Sequence, residues 1–231
     1  MPEVALNNKM QFTVKLTKEE VDYFLPLAEE KSKKYSEISP DKTSPYGFNH
    51  VHSHHVGMQA EFAAHEFLKW VSSSTGIELD IEPIYQNPKR DGEADLKLNG
   101  TRIDVKCLGR KAFYDYGPGI SARQYDRLCI KAEVVMWLVY DTKKRLFTIV
   151  GYNYMKDVRD IIPVQNLNKE TGQRIENYPV IDIMQDIQML TSPEHIQKMK
   201  DLEPPKGTRK QASFYEKFST KTLSNSHTRL H

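Results

Sequence analysis

The sequence predicts an α/β fold, and three stretches carry that prediction. Val56–Val71 sets Val56, Ala60, Ala63, Phe67 and Val71 along one stripe at helical spacing. Asn99-Gly100 lies between two runs of strand character, the signature of a two-residue hairpin turn. Glu133–Tyr140 is almost continuously apolar, as a strand buried on both faces requires.

Composition sets the outer limits. The 231 residues are 28% charged and 39% hydrophobic, enough for one sizeable domain with additions or for two small ones. A formal net charge of +2 is too small to signal nucleic acid, so any basic surface must be local. No apolar run approaches the roughly 20 residues of a membrane span, and MPEVALNNKMQF has no signal-peptide pattern. The expectation is a cytoplasmic protein with no membrane partner. Cys107 and Cys129 fall on apolar positions and read as reduced, buried thiols rather than a disulfide or zinc framework.

The elements follow in order. Met10–Leu16 alternates, with Phe12, Val14 and Leu16 on one face, and reads as a short strand. Thr17 and Glu20 form a capping box, so a helix starts at Lys18, and Pro26 should kink or break it. Lys31–Pro45 is polar and turn-rich, a loop. Residues 1–50 thus read as a strand/helix addition. His50-Val-His-Ser-His-His55 offers alternate imidazoles as zinc or nickel ligands. No Cys or acidic partner is spaced nearby, which favours a partly exposed loop whose imidazoles touch phosphate. In the Val56–Val71 helix, Glu61 lies off the apolar stripe with His65 one turn later. Ile77–Tyr85 reads as a strand broken near Pro83, and Gln86–Gly92 as a turn.

The hairpin then spans Asp91–Cys107. A two-residue turn pairs Leu98 with Thr101, Lys97 with Arg102, Leu96 with Ile103, Asp95 with Asp104, Ala94 with Val105 and Glu93 with Lys106. One face carries Leu96, Leu98, Ile103, Val105 and Cys107. The other carries Glu93, Asp95, Lys97, Arg102, Asp104 and Lys106. Asp95 directly opposite Asp104 is destabilising unless a cation lies between them. Mg²⁺ suits such a pair, completing its octahedron with water and phosphate oxygens. Relief of that repulsion predicts that Asp104→Asn leaves the metal-free protein no less stable. Lys106 could stabilise charge on a bound phosphate, and Lys97 and Arg102 extend the face as a phosphate track. The competing reading is a solvated face whose charges neutralise diagonally.

Gly109–Gly119, with Arg110 and Lys111 among tyrosines and glycines, reads as a loop suited to backbone contacts and base stacking. Ser121 caps a helix over Ala122–Ala132, with Tyr125, Leu128, Cys129 and Ala132 inward and Arg123 and Gln124 in its first turn. After the Glu133–Tyr140 strand, Asp141–Arg145 turns into a strand over Leu146–Tyr152. Beyond it come a short helix (Lys156–Ile162), a polar loop (Asn166–Asn177), a strand (Tyr178–Ile183) and a helix opening at Ser192-Pro193-Glu194. From Pro204 the chain is a basic tail, with Lys206, Arg209, Lys210, Lys217, Lys221 and Arg229 opposed only by Glu216. Such a tail adds salt-sensitive affinity for nucleic acid.

Asp95, then Asp104-Val105-Lys106 on the next strand, resembles the PD-(D/E)XK nuclease superfamily, with Ala94-Asp95 where the family has Pro-Asp. The resemblance covers about Val56–Tyr152. It implies a restriction-endonuclease-like core, α-β-β-β-α-β, with a mixed central sheet flanked by helices and additions at both ends. Residues 51–153 would be the nuclease core, 154–203 an extension packing on it and 204–231 the flexible basic tail. It further implies Mg²⁺ or Mn²⁺ held by Asp95 and Asp104, with Glu61, in preference to Glu66, supporting from the preceding helix. Lys106 would be the catalytic lysine, and Gln124 would be oriented to the scissile phosphate. DNA would be the partner, contacted by Lys97, Arg102, Arg110, Lys111 and Arg123, and cut endonucleolytically, in many members by a homodimer. Two alternatives stay open: a nuclease for RNA or for branched or single-stranded DNA, and a silent nucleic-acid-binding subunit.

Overall fold

The core is built around a strand that is apolar on both sides. In the computed structural model, which describes residues 2–6, 11–38, 50–86, 93–167, 174–187, 192, 194 and 195, this strand is β7 (Val134–Asp141). Val134, Met136 and Leu138 face one apolar cluster with Ala60, Ala63, Phe67 and Val71. Val135 and Trp137 face a second cluster with Leu128, Cys129, Met155 and Val158. Helices therefore cover both faces, and the protein is α/β.

Seven strands form the mixed sheet. Along it lie β1 (Glu3–Leu6), β2 (Phe12–Lys15), β8 (Leu146–Tyr154), β7, β5 (Thr101–Gly109), β4 (Leu96–Leu98) and β3 (Ile81–Pro83). Among the described strands, only β5 and β7 pair in parallel. The crossover between them holds α3 (Arg110–Tyr116), β6 (Gly119–Ser121) and α4 (Ala122–Lys131). After β8 come α5 (Met155–Val158), β9 (Val164–Leu167) and β10 (Arg174–Pro179). The last two join β6 in a small antiparallel sheet ordered β6-β10-β9, and Tyr178 stacks on Tyr125 of α4 at 4.3 Å.

The N-terminal residues are not an appendage beside the core. β2 pairs with β8, so β1 and β2 extend the same sheet. The capping box forms: Thr17 N–H donates to Glu20 Oε2 (2.9 Å) and Glu20 N–H to Thr17 Oγ1 (3.2 Å). It opens α1, which runs from Lys18 to Ile38 without breaking at Pro26. Packing explains this, since Phe24 meets Phe62 of the next helix at 5.6 Å and Ala28 is fully buried. Tertiary contact outweighs one lost backbone hydrogen bond.

Other boundaries also moved. The histidine run is helical: α2 spans His50–Thr75, and His55 Nε2–H donates to the Val21 carbonyl at 2.8 Å, tying α2 to α1. Helical phase turns His52 and His55 toward Tyr140 and Phe147 while His54 faces the opposite side. The expected loop after β5 is α3, supported by Lys111–Asp115 at i,i+4 (2.6 Å) and Arg110 over the Tyr114 ring. Its glycines are at the ends, with Gly117 at φ 70° closing the helix. The Ile77–Tyr85 strand shrinks to Ile81–Pro83 plus a 3₁₀ turn, and the expected 166–177 loop contributes to β9 and β10. The basic tail and most of the expected last helix lie outside the described residues.

One glycine is fixed by a close approach. At Gly151, β8 meets the returning chain, where Tyr152 and Gln185 exchange backbone hydrogen bonds of 3.1 and 2.8 Å. A Cβ there would lie 2.6 Å from the Gln185 carbonyl oxygen and 2.7 Å from Met184 Cγ. Gly151→Ala is therefore expected to lose about 1–3 kcal/mol. Urea unfolding checks this, and an unchanged midpoint would show that the 184–185 segment yields freely.

Candidate functional site

The site begins where β4 stops. The turn adopts the expected form, with Asn99 at φ 49° and Gly100 at φ 87°. The predicted register holds for Leu98–Thr101, Lys97–Arg102 and Leu96–Ile103. The ladder then ends, and the expected pairs from Asp95 to Glu93 are not made. Asp95 N–H still donates to the Ile103 carbonyl (3.0 Å). Its side chain reaches along the uncovered edge of β5, where Val105 N–H donates to Asp95 Oδ2 (2.7 Å). The carboxylate thus satisfies a backbone donor that a longer β4 would have taken.

Asp104 is in register with Val135 and Lys106 with Trp137, so both project onto the α4 side of the sheet. The Asp104 side chain is 1% exposed. Lys106 Nζ lies 2.7 Å from Asp104 Oδ2. Lys131, the last residue of α4, places Nζ 2.5 Å from Asp104 Oδ1 and 3.1 Å from Asp95 Oδ1. One ammonium bridges the two carboxylates. The sequence expectation of bare repulsion is corrected here: positive side chains already separate the pair.

The electrostatics follow. Burial pushes Asp104 up, but Lys106 and Lys131 outweigh it and hold the carboxyl below its ordinary value. Asp95 is raised, by burial and then by the charge of Asp104, beyond what Lys131 and Lys106 offset. Burial opposes the charge on Lys131, but Asp104 and Asp95 dominate and keep it cationic. Glu61, from α2, is pushed up to about 8 by burial and then by Asp95. The competing Glu66 instead pairs with Lys69 at 2.9 Å.

Glu61, Asp95, Asp104, Lys106 and Gln124 all line one cleft of about 1240 Å³. Gln124, Arg127, Leu128 and Lys131 form the α4 wall. α1, to which sequence gave no role, supplies Tyr23, Phe24, Leu27 and Lys31 to the opposite side.

The expected nucleic-acid contacts fall elsewhere. Lys97 pairs with Glu82 (3.1 Å). Arg102 clamps the buried Glu133, with Nε at 2.8 Å and Nη2 at 2.5 Å from Oε1, while its own N–H donates to Oε2 at 2.6 Å. Arg110 lies over Tyr114 and Lys111 holds Asp115, while Arg123 is exposed on α4. None of these five lines the cleft, and Lys97 and Arg102, expected to extend a phosphate track from it, are each paired with a glutamate.

Sequence reasoning missed Lys131. A signal existed: Lys131 follows the inward Leu128 by three residues, and therefore shares its side of the helix. Among the described residues, no three His, Cys, Asp or Glu side chains converge as a ready-made metal-ligand set. The two bridged carboxylates nevertheless fit a hard divalent cation, since both already direct an oxygen at one shared positive charge. No family model, curated protein or solved structure matches the chain.

Glu61 makes the site pH-sensitive. Its folded value of about 8 exceeds the ordinary 4.5, so the folded state holds an extra proton between those values and stability falls as pH rises through that window. Glu61→Gln removes this cost. The variant is expected to exceed wild type by about 2 kcal/mol at pH 8, after discounting for partial exposure to the cleft, and to converge with it below about pH 4.5. Denaturant melts across that range check it. Parallel curves for the two proteins would show that Glu61 is ionised in the cleft.

Proposed function

We propose that this chain is a Mg²⁺- or Mn²⁺-dependent endodeoxyribonuclease of the PD-(D/E)XK type. The observation that carries the reading is that Glu61, Asp95, Asp104, Lys106 and Gln124 line one cleft, where Asp95 and Asp104 share the Lys131 ammonium. The element order α2, β3, β4, β5, α4, β7 agrees with a restriction-endonuclease-like core carrying α3 and β6 as an insertion.

Asp95 and Asp104 would hold the metal. When bound, Mg²⁺ polarises a phosphate oxygen and lowers the pKa of its water. Val105 N–H fixes one Asp95 oxygen, which leaves Oδ1 directed at the shared cation. Lys106 is anchored by Asp104 Oδ2 and reaches the same cleft, where its ammonium meets charge that develops on the phosphate. Gln124, exposed on the α4 wall, offers an amide donor to a non-bridging phosphate oxygen. Glu61 lines the same cleft and would support the metal from α2; in the metal-free site burial and then the Asp95 charge push it up to about 8.

Purified protein should nick or cut plasmid with Mg²⁺ or Mn²⁺ and stop in EDTA. Linear single strands and RNA tested alongside identify the preferred substrate. Lys106→Ala should lower kcat by about 10²–10³-fold while still binding Mn²⁺. Asp104→Asn should abolish cutting and weaken Mn²⁺ binding. It should also lower stability, because it leaves Lys131 and Lys106 without their buried counter-charge. Cutting by metal-stripped protein, or by Asp104→Asn at the wild-type rate, would place the chemistry elsewhere.

A further inference from the structure

Lys131 is the resident of the site that the proposed reading gives to the metal. Its ammonium, 2.5 Å from Asp104 and 3.1 Å from Asp95, stands where a cation shared by both carboxylates would stand. We infer that Lys131 is a built-in competitor of the divalent cation, which binds by displacing its ammonium from between Asp95 and Asp104. The inference rests on the nuclease reading for the identity of the cation.

Charge and room support it. Without metal, the two ammoniums in contact with the aspartates, Lys106 and Lys131, match the two carboxylates in formal charge. A divalent cation added without displacement would leave two uncompensated positive charges in a largely buried place, where they interact strongly. The two lysines are not equivalent. Lys106 contacts only Asp104, at Oδ2, so it can stay. Lys131 contacts an oxygen of each carboxylate, Oδ1 of Asp104 and Oδ1 of Asp95, and is the one to leave. Its long stem starts at the last residue of α4, beside the open cleft, and Gln124 and Arg127 face the same cleft along that helix. The displaced ammonium therefore moves into the space that substrate phosphate would use. Lys131 thus holds the carboxylates together until the cation arrives and sets how much cation is needed.

Calorimetric titration with Mn²⁺ alone tests this in wild type, Lys131→Met, Lys131→Arg and Asp104→Asn. Lys131→Met keeps the stem and removes the charge, so it should bind Mn²⁺ at least tenfold more tightly than wild type. Lys131→Arg restores a cation and should bind no more tightly than wild type. Thermal melts supply a second readout if Lys131→Met is poorly folded without metal: its rise in Tm on adding Mn²⁺ should exceed that of wild type. Equal or weaker Mn²⁺ binding by Lys131→Met, with binding lost in Asp104→Asn, would overturn the competition and leave the metal site standing. Absence of Mn²⁺ binding in wild type and Lys131→Met alike would overturn the metal site itself, and the competition with it.

Discussion

Two carboxylates brought together inside a protein need positive charge between them, and most of this site is arranged to supply it. Asp104 is almost fully enclosed and Asp95 reaches it from the end of the neighbouring strand. Burial raises both carboxyls and the charge of Asp104 raises Asp95 further, and Lys106 and Lys131 act against that rise on each. A site of this kind is costly as pure scaffolding. Apolar residues of the same volume would serve a core as well or better. Its position beside an open cleft is what gives the expense a purpose.

The surrounding fold can be read as the means of holding that pair in place. β7, buried on both faces, fixes β5 by parallel pairing and so fixes the height of Asp104. Arg102, on the same face of β5, then locks the geometry. Its guanidinium grips Glu133 and donates to the Ile130 carbonyl (3.0 Å), which clamps β5 to the junction of α4 and β7. Asp104 lies two residues beyond Arg102, and Lys131 two residues before Glu133. The clamp therefore brings the carboxylate and its bridging ammonium to the same place. Early termination of β4 at Leu96 leaves the β5 edge open for Asp95 to enter.

Local signals made much of this legible. The Asn99-Gly100 turn set the hairpin register as far as Leu96 and Ile103, and Asp95 reaches the β5 edge just beyond it. The apolar run of β7 and the stripe of α2 placed the core. What sequence hid was decided by tertiary contact. Arg102 and Lys97 looked like one charged track with Lys106, yet each found a carboxylate from another element. Lys131 gave no local signal of its role, because its partners lie 27 and 36 residues away. Pro26 and the histidine run misled for a related reason: α1 and α2 stabilise one another by packing that neither helix announces alone. The glycines around α3 marked helix ends where composition suggested a loop.

The most direct test is to locate the cation. Crystals grown with Mn²⁺ should show an anomalous peak at Asp95 and Asp104, with the Lys131 ammonium moved into the cleft. Lys131 still bridging the two carboxylates in such crystals, with Mn²⁺ elsewhere or nowhere, would contradict the account.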